Sequence, residues 1–335
     1  MNGLIITCNA GSNNTKLAAF DAKTLERKDH AVTHNADEAQ QWLASIGTSE
    51  ITAIGHRVVH GGLEFTHPER ITDAVLAKLK TYIPLAPLHQ PAAIALIEAM
   101  KKSYPDVPSI ACFDTAFHHT MSDAVRRLPL PQKFHDEGIL RYGFHGLSYE
   151  HIATVLPEFA GEKAKDRIIV AHLGGGSSAC AMHNLQSVAT TMGFSTLDGL
   201  MMGTRCGALD PGVVLYLLTE KKMTAQEVSN LLYKDSGLKA VSGISGDMRE
   251  LLQSKNPAVQ EAIELYCLSA AKEIAALLPV LGGLDALVFT GGIGENVTLV
   301  RDRIVALLRV LGDFAVHVIP TDEELVIAQA CKKTL

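Results

Sequence analysis

The sequence predicts an α/β protein of two domains, each built on a mixed β-sheet core that is flanked by helices. Three observations support this fold class. A strand–loop–strand pattern occurs twice, apolar runs alternate with amphipathic ones, and 335 residues are too many for one compact core. We therefore expect two related domains that face each other across a cleft. The first would comprise residues 1–117 plus 323–335, and the second residues 118–322.

The duplicated pattern is an apolar run, a loop of small and hydroxyl-bearing residues, and a second short apolar run. One copy lies in residues 4–20 and the other in residues 167–182, and aligning Asn9 with His172 brings the two loops into register. Loops with so little side-chain bulk let backbone N–H groups close around phosphate oxygens. An ordinary hairpin with a glycine turn would explain either loop alone. Two matched loops favour a phosphate-handling enzyme.

The expected elements follow from hydrophobic periodicity and from the helix-start and turn residues between the periodic runs. In the first half we expect a hairpin at 3–8 and 17–20, a strand at 51–59, helices at 72–82 and 91–103, a strand at 107–113 and a helix at 148–156. In the second half we expect strands at 167–172, 178–183 and 187–191, helices at 212–220, 224–233 and 257–278, a strand at 285–290, a helix at 297–310, a strand at 314–319 and a helix from Thr321. Thr321 would cap this last helix, with Glu324 three residues further on.

Composition narrows the class of partner. The net charge of −6 argues against nucleic acid or an anionic membrane as the main partner, although local arginines can still bind an anionic substrate. The six cysteines include no Cys-x-x-Cys pair, which is typical of reduced, buried thiols. No signal-peptide pattern is present, and the longest apolar stretch, 274–284, is too short to span a bilayer. We expect a cytoplasmic protein.

Two polar clusters lie in the first sixty residues. Asn9, Ser12 and Lys16 in the opening loop could orient a phosphate chain or a hydrated metal ion, and ordinary turn chemistry explains them equally well. Arg57 ends an apolar strand, where a guanidinium is costly unless it meets a carboxylate or a phosphate. His56 and His60 are four residues apart, but on a strand this spacing does not give a zinc-binding helix, so a zinc site is disfavoured.

Three further clusters carry polar residues in apolar or glycine-rich surroundings. His89, Asp114 and His145 each stand alone among apolar or aromatic residues, which favours a shared polar cavity over three separate core residues. Arg205 is bracketed by glycines in 199–207, where a surface-loop arginine is the alternative. Residues 290–296 follow an apolar strand and open a helix, so an anionic group could approach closely. A structural turn is the alternative there, because neither the dinucleotide-binding nor the Walker pattern is matched.

In this order, these segments resemble the acetate kinase family, a branch of the actin/hexokinase/Hsp70-like ATPases. The resemblance runs from Asn9 to the final helix, and its signatures are residues 9–12, 56–62, 113–118, 142–146, 202–205 and 292–296. It implies an actin-like ATPase (ribonuclease H-like) fold. It also implies reversible, direct in-line phosphoryl transfer from ATP to acetate, giving acetyl phosphate and ADP, with Mg²⁺ or Mn²⁺ as cofactor. A homodimer is implied as well.

The resemblance implies a role for each matching position. Asn9 and Glu323 would hold the metal ion, directly or through water, and Asp114 would be the catalytic carboxylate. Arg57 would bind the substrate carboxylate, while His145 and Arg205 would stabilise the transferring phosphoryl group. The acyl group would be bound by Val59, Leu88, His89, Phe144 and Thr196. The nucleotide would be bound by Ser12, Lys16, His172, Leu173, Gly174, Gly175, Gly176, Asp247, Met248, Arg249, Gly292, Ile293, Gly294, Glu295 and Asn296.

Electrostatics supports this division of roles. A small carboxylic acid has a pKa near that of a glutamate side chain, about 4.3, and is therefore already ionised at pH 7. It needs no general base, and its difficulty is the approach of one anion to another. Two arginines, His145 and a divalent ion in a water-excluding cleft would offset this repulsion. We therefore expect Asp114 to position Arg57 or the metal shell and not to accept a proton.

Some positions depart from the family pattern. Gly175 replaces an asparagine, Asn14 a hydroxyl residue, and Thr196 a proline of the acyl pocket, which leaves the acyl-chain preference open. The chain is also shorter than typical members, yet it keeps every charged catalytic position, so we expect an active enzyme. The alternatives are a propionate or butyrate kinase of the same family and a non-catalytic nucleotide switch. A switch has no need for four such charged or titratable groups together.

Overall fold

The computed structural model describes residues 3–11, 14–34, 36–46 and 51–335. The chain divides into two compact units. Unit 1 comprises Met1–His119, Phe144–His151 and Asp322–Leu335, and unit 2 comprises Thr120–Gly143 and Ile152–Thr321. Unit 1 thus includes Phe144–His151, a segment that lies inside the second domain expected from the sequence.

The regular elements alternate between strands and helices along both units. The strands are β1 Leu4–Ala10, β2 Thr15–Asp21, β3 Arg27–Thr33, β4 Ile51–Val58, β5 Glu69–Arg70, β6 Ser109–Phe113, β7 Ile168–Leu173, β8 Ser177–His183, β9 Gln186–Thr190, β10 Ala286–Thr290 and β11 Ala315–Val318. The α-helices are α1 Ala36–Ile46, α2 Asp73–Thr81, α3 Gln90–Ser103, α4 Asp123–Arg126, α5 Gln132–Asp136, α6 Gly146–Ala160, α7 Pro211–Thr219, α8 Ala225–Lys234, α9 Gly237–Ser242, α10 Met248–Leu251, α11 Pro257–Ala276, α12 Leu278–Leu281, α13 Gly291–Asn296, α14 Thr298–Leu308 and α15 Glu323–Thr334. No helix within the described ranges is both long and apolar enough to cross a membrane.

The two sheets have the same strand order, which confirms the duplication predicted from the loops. In unit 1 the order is β3-β2-β1-β4-β6-β5, and in unit 2 it is β11-β10-β7-β8-β9. In each unit a three-stranded antiparallel meander (β1–β3 or β7–β9) is followed by two parallel strands (β4 and β6, or β10 and β11). β5 adds one antiparallel edge strand to unit 1. The fold class is therefore the one that the sequence predicts.

Both faces of the unit 1 sheet are covered, and strand alternation decides which side chain meets which helix. On one face, Ile5 of β1 and Ala53 of β4 pack with Ile327 of α15 in one apolar cluster. On the other face, Ile6 of β1 and Ile54 of β4 pack with residues of α1 and α3. The continuous apolar runs of β1 and β4 reflect this burial on two sides.

The core of unit 2 is formed around α11, the longest helix in the described chain. Its buried residues include Ile263, Tyr266 and Ile274, and they pack with strands β7, β8 and β10 and with α14. The Tyr266 hydroxyl is not left unsatisfied by this burial, because it lies 2.9 Å from the Ser177 Oγ at the start of β8. Helix α11 therefore contacts Ser177, the first residue of β8 after the glycine loop at 174–176.

Four local features differ from the sequence prediction. β3 and α1 were not predicted, and β3 is an exposed, charged edge strand whose residues show no apolar alternation. The helix expected at 297–310 is preceded by a separate short helix, α13, where a structural turn was the alternative. The predicted N-cap Thr321 is wrong: α15 begins at Glu323, and the Asp322 carboxylate caps it by accepting a hydrogen bond from the Leu325 N–H at 2.9 Å.

A close approach between β4 and α15 yields the first testable prediction. A Cβ atom on Gly55 would lie 2.3 Å from the Ile327 Cγ2 and 2.6 Å from the Cys331 Sγ. We expect Gly55→Ala to destabilise the protein by about 1–3 kcal/mol, because the helix must move away from the strand. Urea-induced unfolding measures this cost. In an Ile327→Ala background, which lacks the nearest clashing atom, the same substitution should cost less, and equal costs in both backgrounds would contradict the packing.

Candidate functional site

The unit 1 site forms where three neighbouring parallel strands end. Asn9 lies near the end of β1, Arg57 near the end of β4, and Asp114 directly follows β6. Parallel strands end at one edge of a sheet, and residues an even number of positions apart share a face. By this rule, the sheet face that packs against α15 through Ile5, Ala53 and Cys112 also carries the side chains of Asn9, Arg57 and Asp114. The fold therefore brings the three polar side chains to one edge and one face.

Arg57 and Asp114 form a buried ion pair. The Arg57 Nη2 lies 2.6 Å from the Asp114 Oδ2, and the Arg57 Nε lies 3.0 and 3.1 Å from the two carboxylate oxygens. The Asp114 side chain is 1% exposed and that of Arg57 13%, so water screens the pair weakly. The paired geometry fixes the plane of the guanidinium.

Burial and neighbouring charge act in opposite directions on this pair. Burial raises the pKa of the Asp114 carboxyl, and the Arg57 charge opposes that rise. Burial lowers the pKa of Arg57, but the Asp114 and Glu323 carboxylates outweigh it, and the pKa of Arg57 lies above its ordinary value. The guanidinium therefore stays charged across the physiological pH range.

The backbone N–H groups of His145 and Gly146 both donate hydrogen bonds to Asp114. The Asp114 carboxylate accepts a hydrogen bond from the His145 N–H. The Gly146 N–H donates to the Asp114 carbonyl at 2.9 Å, and a Cβ on Gly146 would lie only 2.2 Å from that oxygen. His145 has a φ of 59°, which a non-glycine residue adopts at a cost of roughly 1 kcal/mol. Strained backbone of this kind is concentrated at functional sites.

Two acidic side chains from the first turn of α15 reach the same cluster. The Asn9 Nδ2 donates to the Glu323 Oε2 at 2.9 Å and to the Glu324 Oε1 at 2.7 Å. The Asn9 Oδ1 accepts from the Arg57 Nη1 at 3.2 Å. The N-terminal end of a helix favours negative charge, which supports two adjacent glutamates at this position.

Oxygen ligands suitable for a hard divalent cation are therefore present. Glu323 is half-buried, whereas Glu324 is 8% exposed. The Asn9 Oδ1 already accepts a hydrogen bond from Arg57, which favours a contact to a metal ion through water. In the described part of the chain, no group of three or more His, Cys, Asp or Glu side chains could hold a metal ion on its own. Mg²⁺ is typically held by one or two carboxylates together with substrate phosphates.

The expected acyl-binding residues of unit 1 adjoin one aromatic group. Val59 and Phe144 are 2% and 1% exposed. The ring of His60, next to Val59, meets the Phe144 ring edge-on with centroids 5.7 Å apart. The His60 carbonyl accepts from the Gln90 Nε2 at 3.3 Å, which links it to the neighbouring His89. The structure thus brings His60 together with Phe144 and Gln90, and Val59 and His89 are the chain neighbours of His60 and Gln90, with half-buried Leu88 beside His89.

In unit 2, backbone glycines bring the expected nucleotide-binding segments together. The Gly203 N–H donates to the Gly175 carbonyl at 3.4 Å, and a Cβ on Gly203 would lie 2.8 Å from the Gly246 carbonyl. A Cβ on Gly174 would lie 3.9 Å from the Gly292 nitrogen. The loop after β7, the start of α13 and the segment before α10 are therefore neighbours. A Cβ on Gly175 or Gly292 would meet no atom within 4 Å, so both face open space.

Arg205 of unit 2 is a buried cation, 8% exposed. Its Nη1 donates to the Thr196 carbonyl at 3.0 Å, so the Arg205 and Thr196 positions are coupled. The exposed surface-loop arginine considered from the sequence is not what the structure shows. The proximity of Arg205 to Arg57 stays a prediction.

Several expected nucleotide-binding side chains have local structural partners. The Glu295 Oε1 accepts from the Gly291 N–H at 2.9 Å and from the Thr321 N–H at 3.2 Å. The Asp247 carboxylate accepts from the backbone and side chain of Arg249. Leu173, Met248 and Ile293 are buried, and the Asn296 Nδ2 donates to the Gly292 carbonyl at 2.9 Å. These segments therefore offer a ligand mainly their backbone and open space.

The first loop is described in part. Lys16 on β2 is the cross-strand partner of Asn9, and its side chain is exposed. Cross-strand partners project from the same face of a sheet, so Lys16 emerges on the face of the Asn9 amide. Ser12 lies outside the described residues.

Sequence reasoning missed two supporting residues. Glu324 was read only as part of a helix entry, although it contacts Asn9. His118 is buried, and its Nε2 lies 3.0 Å from the Phe144 carbonyl. Burial lowers the pKa of His118 to about 4, with the Phe144 carbonyl opposing, so the neutral ring donates this hydrogen bond. The signals available were the acidic pair itself and the histidine four residues after Asp114.

Comparison with known proteins is consistent over nearly the whole chain. A model of the acetokinase family matches residues 3–314. An acetate kinase of Rhodopseudomonas palustris is 44% identical, covering 98% of both chains, and one of Methylocella silvestris is 50% identical over 84% of this chain and 74% of that relative. A propionate kinase structure from Francisella tularensis has a TM-score of 0.92 at 33% identity, and an acetate kinase structure from Porphyromonas gingivalis has 0.88 at 31%, each covering 99% of both chains.

The histidine beside Arg57 leads to a prediction on pH dependence. His56 is 1% exposed, neither ring nitrogen has a hydrogen-bond partner in the described structure, and burial lowers its pKa from 6.5 to about 3. Below pH 6.5 the unfolded chain binds a proton at His56 that the folded chain does not. Folding stability therefore falls as the pH drops from 6.5 towards 3.

His56→Leu should remove this contribution. We expect the pH dependence of the unfolding free energy between pH 6 and pH 4 to become shallower by up to about 1.4 kcal/mol per pH unit. Urea unfolding at a series of pH values measures the slope. His30→Leu, at an exposed position on β3, is the matched control and should keep the wild-type slope. An unchanged slope in His56→Leu would show that His56 is not buried in its neutral form.

Proposed function

The chain belongs to the acetokinase family, and we propose that the cluster of Arg57, Asp114 and Asn9 binds the phosphoryl acceptor of its reaction. That reaction is the reversible transfer of a phosphoryl group from ATP to acetate, which gives acetyl phosphate and ADP. We propose that the glycine segments of unit 2 bind the nucleotide. Their adjoining backbone and the open space at Gly175 and Gly292 support this assignment.

The observation that carries the proposal is the geometry of Arg57. Asp114 accepts from its Nε and from one Nη2 N–H, and its Nη1 donates to the Asn9 Oδ1 at 3.2 Å and to the Ala10 carbonyl at 3.5 Å. A guanidinium has five N–H groups, so one Nη2 N–H remains for a further acceptor. A carboxylate oxygen can accept from this N–H in a charge-assisted hydrogen bond. Arg57 is thus a fixed, permanently charged receptor for a small carboxylate.

This geometry favours a positioning role for Asp114. Its carboxylate is occupied by the Arg57 guanidinium and the His145 N–H. Acetate at pH 7 has no proton to give, so the forward reaction does not require a base. The reacting oxygen is a carboxylate oxygen of acetate, which Arg57 orients, and the reaction depends on the charges that surround it. His145 and Arg205 are proposed to stabilise the transferring phosphoryl group.

We propose that Mg²⁺ accompanies ATP, with Glu323 as a carboxylate ligand and Asn9 as a ligand through water. The oxygen donors of this acidic turn fit such an ion, and Mn²⁺ has the same ligand preference. When bound, the ion would reduce the negative charge of the phosphates. The chain's own residues would meanwhile orient the acetate and hold its methyl group against Val59 and Phe144.

We also propose that the chain forms a homodimer through unit 2. Helix α7 has no buried residue although it is strongly apolar, and Val213, Leu215 and Tyr216 are 41%, 61% and 52% exposed. Exposed apolar surface of this kind marks interaction sites in soluble proteins. A symmetric dimer in which α7 contacts its own copy would cover it.

The acceptor assignment is tested with acyl hydroxamate formation from ATP and acetate, propionate or butyrate. Wild-type protein should give the product with acetate. Arg57→Ala should lower kcat/KM for acetate by about 10²-fold or more, because the charge that orients the carboxylate is lost. Asp114→Asn should also lower kcat/KM for acetate, because the Arg57 guanidinium then loses the charged partner that fixes its orientation.

Arg70→Ala is the matched control for Arg57→Ala, since Arg70 is an exposed arginine on β5 in the same unit. It should keep wild-type kinetics. Near-normal turnover in both Arg57→Ala and Asp114→Asn would refute the acceptor assignment. Absence of product with all three acids from the wild-type protein would refute the kinase function itself.

The dimer proposal is tested by placing charge on α7. The wild-type protein should sediment as a dimer, and the double variant Leu215→Glu, Tyr216→Glu should sediment as a monomer, because carboxylates cannot be buried unpaired. Val310→Glu changes another exposed apolar residue, 86% exposed, and should remain dimeric. A dimeric α7 variant would place the interface elsewhere.

A further inference from the structure

We propose that Glu324 is a positioning residue that fixes the orientation of the Asn9 amide and, through Asn9, the outer edge of the Arg57 guanidinium. This inference rests on the proposed function for its kinetic consequence. Its structural part concerns three side chains of unit 1, joined by hydrogen bonds that are described above. It assigns Glu324 a role different from that proposed for Glu323.

The amide orientation follows from hydrogen-bond chemistry. A carboxylate accepts hydrogen bonds only, and a guanidinium donates only. The Asn9 Nδ2 faces two carboxylates, at 2.7 Å from Glu324 and 2.9 Å from Glu323, while its Oδ1 faces Arg57. A flipped amide would set oxygen against two carboxylates and N–H groups against a cation. The acidic pair therefore specifies one rotamer of Asn9.

Burial distinguishes Glu324 from its neighbour. Glu324 is 8% exposed, so its charge depends on protein partners, and the Asn9 contact is the shorter of the two. Glu324 also contributes to the raised pKa of Arg57, although less than Asp114 and Glu323 do. Glu323 is half-buried, which leaves it more accessible to a solvated ion. Glu324 thus orients the Asn9 amide, and Glu323 remains the proposed metal ligand.

The position of helix α15, which carries Glu324, is fixed by its cap, by an ion pair and by packing on β4. Asp322 caps the helix and forms an ion pair with Arg27 at 2.6 Å. The absence of a side chain at Gly55 lets Ile327 and Cys331 pack directly on β4. The first turn of α15 is therefore fixed relative to β1 and β4, the strands that carry Asn9 and Arg57. A fixed helix gives Glu324 little freedom to leave the amide.

The kinetic test is a double-mutant cycle of Glu324→Ala and Asn9→Ala, with KM measured separately for acetate and ATP. Glu324→Ala should raise the KM for acetate about tenfold, the usual effect of losing a hydrogen bond to a charged group, and the KM for ATP by less, because Asn9 is proposed to contact the metal ion only through water. On the Asn9→Ala background it should add no further loss, because its target is absent. Glu324→Gln, which keeps an acceptor oxygen, should retain most of the wild-type affinity.

Controls separate positioning from folding and from metal binding. Gln329→Ala, on the same helix, should match the wild-type protein, and circular dichroism should show that Glu324→Gln is folded. The half-saturating Mg²⁺ concentration should be the same in Glu324→Gln as in the wild-type protein. Additive losses in the cycle, or a raised Mg²⁺ requirement, would overturn the proposal.

A measurement without turnover separates this proposal from the proposed function. The side-chain NH₂ signals of Asn9, identified by their absence in Asn9→Ala, should exchange slowly with solvent in the wild-type protein and rapidly in Glu324→Ala. If the wild-type protein forms no acyl phosphate but shows this difference, the function is wrong and the amide orientation stands. Equal exchange rates in both proteins would overturn the role of Glu324 whatever the activity.

Discussion

The buried ion pair of Arg57 and Asp114 is the interaction on which the unit 1 site depends. A guanidinium and a carboxylate that are 13% and 1% exposed are costly to desolvate, and only good geometry with further hydrogen bonds offsets this cost. The structure supplies both, through two guanidinium nitrogens and the His145 N–H on the acid. The missing side chain of Gly146 and the left-handed backbone of His145 are explained by this requirement. A buried ion pair adds little to the stability of a fold. Its effect here is to hold the charged Arg57 guanidinium in one orientation.

The two duplicated sheets carry different residues at the same edge. In unit 1 the strand ends carry charged side chains, which suits a small planar carboxylate. In unit 2 the corresponding edge carries glycines at 174–176 and 291–292, which suits phosphates bound by backbone N–H groups. The last paired residues of the two parallel strands are Cys8 and His56 in unit 1, just before Asn9 and Arg57, and His172 and Thr290 in unit 2, just before α13. One scaffold thus presents two edges of different chemistry, which supports the two anion sites proposed for them.

The sequence was sufficient for the fold class, the duplication and most strands, because these follow from apolar periodicity and from two similar loops. It also selected Asn9, Arg57 and Asp114, which the structure brings together, since polar residues at the ends of apolar strands are conspicuous. It could not identify the role of Glu324, which is 315 residues from Asn9 in the chain and meets it only when α15 packs on β4. The cap at Asp322 and the strand β3 were missed for a similar reason. Each depends on partners supplied by the folded chain, Arg27 for the cap and β2 for the strand.

The charge balance of the cluster explains why an anionic substrate would need a cation with it. Arg57 contributes one positive charge, and Asp114, Glu323 and Glu324 contribute three formal negative charges within a chain of hydrogen bonds. Lys16, exposed on the same face opposite Asn9, still leaves one negative charge in excess. A carboxylate substrate and a polyphosphate would both be repelled by this excess. The proposed divalent ion beside Glu323 would reverse the sign of the local charge, so the charge of this cluster is consistent with metal-dependent binding.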